Sequence, residues 1–392
     1  MKLRNCIIST CLSFFLIGCH YHNNEKRANR VVYSWVKLKN NVNFTATTMC
    51  EYKNCLYTGG LYDIAVKRFP SPIAKWDDSS WTYIGNMHDT TFTWVYTMTV
   101  YKGELYVGAD YGVKGNDDER GGIFKWDGLR WHKIGELVGV NTIMNNKVDT
   151  VNKEFEIGHL LVYNDELYLG GQFSGVDRVH SSNIIRWDGT EWKPIVSGSN
   201  KTIIALGVYK NQLYVSGFFD TIGGKPIYHI ARWDGHEFYP MGKRVSIHAE
   251  IYNFCEYEDT LFVSGHFFDS VGGLSVGNIA KWDGYKWSNF SRGTDNSGLD
   301  VGPFFVYEHK LIFSGYFDSI CGIQANNIAL YNDNHWEAMG KLPCCLIWSF
   351  AKYHNNIYAL DANNDSTELG GVFKLSKQII PFMDSLENKQ EK

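Results

Sequence analysis

The chain has 392 residues, of which 44% are hydrophobic and 15% aromatic, ample for a large core. Its formal net charge of −4, without basic clusters, argues against nucleic acid as a partner. Length alone would allow two or three domains, but an internal repeat overrules that reading.

Lys2 and Arg4 form a positive start, and Cys6 to Ile17 is an apolar stretch broken only by Ser and Thr. That length suits the apolar region of a signal peptide and is too short for a stable membrane-spanning helix. The stretch closes on Leu16-Ile17-Gly18-Cys19, which resembles a bacterial lipobox. Residues 1–18 are therefore expected to leave as a lipoprotein signal peptide and Cys19 to carry the lipid, firm anchorage following from about 0.8 kcal/mol per buried CH₂. Losing the two positive charges of Lys2 and Arg4 takes the net charge from −4 to −6. Residues 19–31 read as lipidated cysteine and polar tether, 32–382 as the folded domain and 383–392 as a polar tail.

Beyond the signal and Cys19, six cysteines remain: Cys50, Cys55, Cys255, Cys321, Cys344 and Cys345. Export permits disulfides, and six cysteines allow about 15 pairings. The best local candidate joins Cys50 to Cys55 across a predicted hairpin turn. Adjacent Cys344 and Cys345 would point to opposite faces of a strand, and no CxxC-type zinc spacing occurs.

One phrase then recurs. IAKWDDSSW ends at Trp81, IFKWDGLRW at Trp131, IIRWDGTEW at Trp192, IARWDGHEF at Phe238, IAKWDGYKW at Trp287 and IALYNDNHW at Trp336. The leading aromatics Trp76, Trp126, Trp187, Trp233, Trp282 and Tyr331 are spaced by 50, 61, 46, 49 and 49 residues, the range of kelch-type propeller blades. Each copy has an upstream half, such as VYKGELYVGA from Val100 or VYNDELYLGG from Val162. A seventh such half, KYHNNIYALD from Lys352, is followed by a degenerate Gly371–Leu375 where the Trp-Asp-Gly strand should be.

Two β-rich runs around a short polar turn predict strands one and two of a unit. A Gly-rich loop follows, then a third strand, an Asp-Gly turn supplying positive φ, and a fourth strand. Four loop residues place the flanking aromatics opposite each other, a cross-strand contact of roughly 0.2–1 kcal/mol. Ten of the thirteen tryptophans occupy these positions, and their repetition marks them as blade-forming rather than as a ligand cage. A sheet of this size cannot bury both faces alone, so the reading is all-β: a single propeller of about seven four-stranded blades, with six or eight also allowed by the irregular ends. The run Val31–Val36 is expected to supply the missing strand of the last blade and close the ring near Phe373.

The pattern NIARWDG-x-x-W-x-x-x-G, followed by VY-x-x-x-LYVGG-x-F and a Gly-Gly loop, resembles a family of secreted repeat propellers from Met49 to Phe382. These are bacterial cell-surface relatives of the kelch and galactose-oxidase central-domain class, and the pattern is similar to the propeller of fungal cortical cell-polarity markers. With the lipobox, the resemblance implies a periplasmic or surface lipoprotein of a Gram-negative bacterium of the Bacteroidetes type, on the outer membrane. Many such relatives carry a C-terminal sorting domain; this sequence ends at Asn388–Lys392 soon after the last blade, so export is expected to rest on the lipid signal.

No motif carries catalysis. Gly273-Leu274-Ser275-Val276-Gly277 fits G-x-S-x-G, but a nucleophile elbow needs a strand-to-helix turn in a parallel sheet, and this string precedes a Trp-Asp-Gly strand. The histidines are scattered; His266, which replaces Gln172 and Phe218 of sister units, reads as a loop-surface residue. Asp220, Asp269 and Asp318, and likewise Asn183, Asn278 and Asn327, recur at fixed positions and are expected to close turns on the backbone.

Departures from the repeat are more informative. Asp110 to Glu119 interrupts the second unit; a calcium reading would use Asp117, Asp118 and Glu119, but without EF-hand spacing the plainer reading is a solvated acidic loop. Val140 to Glu156 is an insertion, and Asn141, Ile143, Met144 and Phe155 are its expected partner-facing residues, since insertions in repeat folds map to one face. The expected function is non-catalytic binding or scaffolding of a protein or glycan by a monomer without cofactor, with the membrane engaged through Cys19. The alternative is a glycan- or peptide-acting enzyme at the channel mouth, which needs carboxylates or histidines converging from different blades.

Overall fold

The computed structural model describes residues 30–39, 42, 44–61, 71–85, 90–113, 116–144, 147–242, 250–266, 270–289, 301–333, 335–340, 347–361 and 371–380. Among them every regular element is a strand. Each unit begins with a hairpin on two residues of positive φ, for example Asn164–Asp165 (47° and 58°) and Glu258–Asp259 (47° and 56°). Such mirror-image turns match the right-handed twist of the strands they join.

The hairpin gains two more strands. Blade four is representative: Ile203–Tyr209, Gln212–Gly217, Ile230–Trp233 and Phe238–Pro240, each antiparallel to the next. The second strands are buried over consecutive residues, as in Leu56–Gly60 and Leu167–Gly171, because each is covered on both faces by neighbouring blades. The innermost strands are Thr45–Tyr52, Thr90–Tyr101, Glu156–Tyr163, Ile203–Tyr209, Glu250–Tyr257, Val301–Tyr307 and Ile347–Tyr353. Each touches the next, and the seventh touches the first. The fold is a closed β-propeller of seven blades.

The ring closes with the chain's earliest described strand. Arg30–Lys37 pairs with Val372–Ile380 as the fourth strand of blade seven, and Leu38 N–H donates to the Val372 carbonyl (2.9 Å). Trp35 is buried with Phe350, Phe373 and Leu375. The expected closure is therefore present, and the compact unit spans Val32–Lys377.

The repeated aromatics take the expected register. Trp76 faces Trp81, Trp126 faces Trp131, Trp187 faces Trp192, Trp233 faces Phe238, Trp282 faces Trp287 and Tyr331 faces Trp336. Their ring centroids lie 4.6–5.4 Å apart. The second aromatic also reaches the preceding blade: Trp192 Nε1 donates to Ile134 O (2.8 Å) and Trp287 Nε1 to Met241 O (2.6 Å). Glycine makes the room, since a Cβ at Gly135 would fall 2.6 Å from Trp192 Nε1 and one at Gly85 would overlap the Trp131 ring.

Three expectations are corrected. The second unit is not interrupted: its strands Glu104–Val113 and Asn116–Trp126 stay paired out to Val113 and Asn116. Asp117, Asp118 and Glu119 lie on that strand, where successive residues alternate between faces, unlike the looped calcium chelate; their side chains are outside the described residues. The insertion is a second hairpin, Val140–Met144 against Lys147–Glu154, and Glu156 already belongs to the innermost strand of blade three. Cys50 and Cys55 are not bridged: Cys50 faces Tyr57 and Cys55 faces Tyr52, which sets the two thiols diagonally. Burial pushes the Cys50 thiol up to about 12, so it stays protonated. Cys344 and Cys345 lie outside the described residues, as do Cys19 and the signal segment.

Candidate functional site

The innermost strands surround a channel with two unlike ends. All seven inner turns and the Trp-Asp-Gly turns lie at one end, because antiparallel strands bring both to the same side. Before each inner turn stands a tyrosine, and five of them latch to the next blade. Tyr101 donates to Asp165 O (2.7 Å), Tyr163 to Asn211 O (3.1 Å), Tyr209 to Asp259 O (2.6 Å), Tyr257 to His309 O (3.0 Å) and Tyr307 to Asn355 O (3.1 Å). Among the described residues Tyr52 makes no such bond, its buried hydroxyl lacking a partner. Between blades seven and one, His354 Nδ1 instead meets Asp78 Oδ2 at 2.9 Å.

The Trp-Asp-Gly aspartates finish this end. Asp127 Oδ1 accepts the N–H groups of Leu129 (2.7 Å) and Arg130 (2.8 Å), and Asp77, Asp188, Asp234 and Asp283 do the same. All five carboxyls are held below the usual carboxylate range. Asp77 falls to about 2, chiefly through the Ser79 hydroxyl; His132 dominates at Asp127, Lys193 at Asp188, and backbone N–H donors at Asp234 and Asp283.

Inside the channel every innermost strand carries a bulge at the same place, as between Ala46 and Thr48 or Ile251 and Asn253. A collar of bonds between neighbouring inner strands lies beside it. Thr47 Oγ1 donates to Val95 O (2.7 Å), Leu160 N–H to Thr97 Oγ1 (3.3 Å), Leu206 N–H to His159 Nδ1 (3.3 Å) and Asn253 Nδ2 to Gly302 O (3.2 Å). Burial pushes the His159 imidazole down, so it is the neutral form that accepts.

The opposite, loop end differs from blade to blade. Nine residues after the inner-turn tyrosine, on the second strand or just past it, blades one to six carry Leu61, Asp110, Gln172, Phe218, His266 and Tyr316. Phe218 is 40% exposed and Tyr316 45%. Trp94 and Tyr96 stack there (centroids 4.7 Å, planes 17° apart), and Tyr96 donates to Asp110 Oδ2 (2.6 Å). Glu250 accepts from Tyr252, and burial raises the Glu156 carboxyl.

Between blades three and four this end opens into a cavity of about 380 Å³, lined by Val140, Gln172, Asn183, Asn200, Lys201, Thr202 and Phe218. Thr202 Oγ1 donates to Gln172 Oε1 (2.9 Å), which turns the Gln172 NH₂ into the outward donor. Asn200 Oδ1 accepts from the N–H groups of Asp220 (3.0 Å) and Thr221 (3.1 Å), leaving its NH₂ likewise for a guest. Lys201 is held by Asp220 (2.7 Å). Asn183 is committed to the fold: at φ 66° its Oδ1 accepts from Phe173 N–H and its Nδ2 donates to Ser199 O. An exposed aromatic ring beside two amide donors can hold a sugar ring or a polar side chain, face and edge together.

Val140, at the root of the insertion, lines this cavity, whereas the candidate Phe155 packs inward, where a Cβ on Gly121 would fall 2.6 Å from its ring. The side chains of Asn141, Ile143 and Met144 are outside the described residues. Asn327 closes its turn like Asn183, Asp220 pairs with Lys201, and Asp269 is not described. His266 faces Glu250 in register, and Ser275 sits in a two-residue strand against Ser270–Val271 rather than before a helix. The tyrosine latch escaped the sequence reading, though its signal was there: a tyrosine precedes all seven inner turns.

No protein-family model matches the chain, and no curated protein matches it. Solved structures do. An ancestral GH74 enzyme aligns over 87% of this chain and 50% of its own, with 12% identity and a TM-score of 0.51. The β-propeller domain of the Trilobed protease from Pyrococcus furiosus aligns over 89% and 99% (12% identity, TM-score 0.49), and BamB from Moraxella catarrhalis over 91% and 99% (10% identity, TM-score 0.46). At such identities the likeness concerns the fold alone.

Proposed function

We propose that this propeller is a non-catalytic binding or scaffolding module of a bacterial cell envelope, of the kelch-like Trp-Asp-Gly repeat type, lipid-anchored at Cys19 on the outer membrane. Its partner is a protein or glycan taken at the loop-end mouth. The observation that carries the reading is the cavity between blades three and four, where an exposed Phe218 meets the donors of Gln172 and Asn200. Its volume of about 380 Å³ is large enough for one sugar unit or one large side chain. Repetition supports the same assignment, because the repeated tyrosines and aspartates of the turn end are spent on bonds within the fold while the loop end varies from blade to blade.

The test is affinity capture and a glycan array with the native protein beside Phe218→Ala/Gln172→Ala. The expected result is specific retention by the native protein and loss of it in the variant, at unchanged melting temperature. The enzyme alternative would use Glu156, an exposed carboxyl that desolvation raises above its ordinary pKa. Turnover of a captured glycan or peptide, abolished by Glu156→Gln, would replace the binding reading with that one.

A further inference from the structure

The chain enters its propeller at the turn end. Leu38 bonds Val372, and Val372 faces Leu360, at the loop end of blade seven. Lys377, further along the same strand, reaches Glu308 in the inner turn of blade six (3.0 Å). The strand Arg30–Lys37 runs beside Val372–Ile380 and finishes at the loop end, so Val32 stands at the turn end, roughly 20 Å away at 3.3 Å per residue.

Ten residues, 20–29, separate Cys19 from Arg30, the first residue of that strand. As a relaxed coil they would span about 17 Å, and fully stretched about 35 Å. Bringing the loop end to a bilayer would draw this tether along the whole height of a blade, about 23 Å for seven residues, which exceeds its relaxed span. With the turn end towards the bilayer the tether stays relaxed.

The turn end is also equipped for a headgroup surface. Leu129 is 89% exposed and Tyr285 91%, at the tips of the Trp-Asp-Gly turns of blades two and five. Each is followed by a cation, Arg130 and Lys286. An apolar or amphipathic tip beside a long cationic side chain suits the boundary between headgroups and acyl chains.

We propose that the turn end of the propeller faces the bilayer, with Leu129 and Tyr285 in its headgroup region, so that the loop-end mouth and the inserted hairpin point away from the membrane. This orientation rests on the Cys19 anchor proposed above. It is tested with full-length lipidated protein on vesicles of phosphatidylethanolamine and phosphatidylglycerol, carrying a photoreactive amino acid at position 129, 285, 218 or 316. Lipid adducts are expected at 129 and 285, several-fold above those at 218 and 316. Acyl labelling of Cys19 is read in the same samples. Acylated protein with equal adducts at all four positions, or more at 218 and 316, overturns the orientation alone. Unacylated Cys19 overturns the anchor and the orientation with it.

Discussion

At the turn end of the channel, Tyr101, Tyr163, Tyr209, Tyr257 and Tyr307 all make one bond to the next blade, whereas at the loop end one equivalent position holds Leu61, Asp110, Gln172, Phe218, His266 and Tyr316 in turn. The first set is interchangeable and its polar groups are consumed within the fold. The second differs in charge, size and shape, and leaves rings and amides exposed. Repetition in a propeller thus marks what every blade needs for its neighbour, and departure from repetition marks what the molecule as a whole presents outwards.

Substitutions can break this contrast, the largest first. Trp192→Ala removes a buried ring, its partner on Trp187 and its bond to Ile134, and is expected to cost about 3–5 kcal/mol in urea unfolding. Phe218→Ala at the loop end should stay within about 0.5 kcal/mol of the native protein. Tyr209→Phe deletes one latch and should cost about 1 kcal/mol, while Tyr52→Phe, which deletes none, should be close to neutral. Equal effects of the two would mean the latch contributes nothing.

Acid should loosen the turn end. The Trp-Asp-Gly carboxyls have lowered pKa values in the folded state, so their contribution is present above the unfolded carboxylate range, near 4, and lost as pH falls through the folded values, about 2 for Asp77. Asp77→Asn should flatten the stability profile in that window, as followed by melting temperature against pH. A smaller effect belongs to His159. Its folded pKa is lowered too, so its contribution is present above about 6.5 and declines as pH falls below it. His159→Gln, which keeps an acceptor, should remove that decline.

The sequence made the blades legible because their determinants are local. Four loop residues between Trp187 and Trp192 force the two rings into register whatever the rest of the chain does, and the structure places them so. The closing strand was legible as well, since a degenerate last unit needs a partner and Trp35 precedes the first. The latch was not, because the acceptor of Tyr209 lies on Asp259, one whole blade further on, and its meaning depends on the ring being closed. The cavity escaped for the same reason: Gln172 and Phe218 end equivalent strands of different blades. Asp110 to Glu119 misled because polar residues without alternation hide a strand that extends beyond the common blade length.

The most direct test of the division between the two ends is a paired measurement of stability and partner affinity on Tyr209→Phe and Phe218→Ala/Gln172→Ala. Tyr209→Phe should lower the melting temperature and leave affinity for the captured partner unchanged. The loop-end variant should do the reverse, with affinity down at least tenfold and melting unaltered. Lost affinity in Tyr209→Phe with an intact loop-end variant would contradict the account.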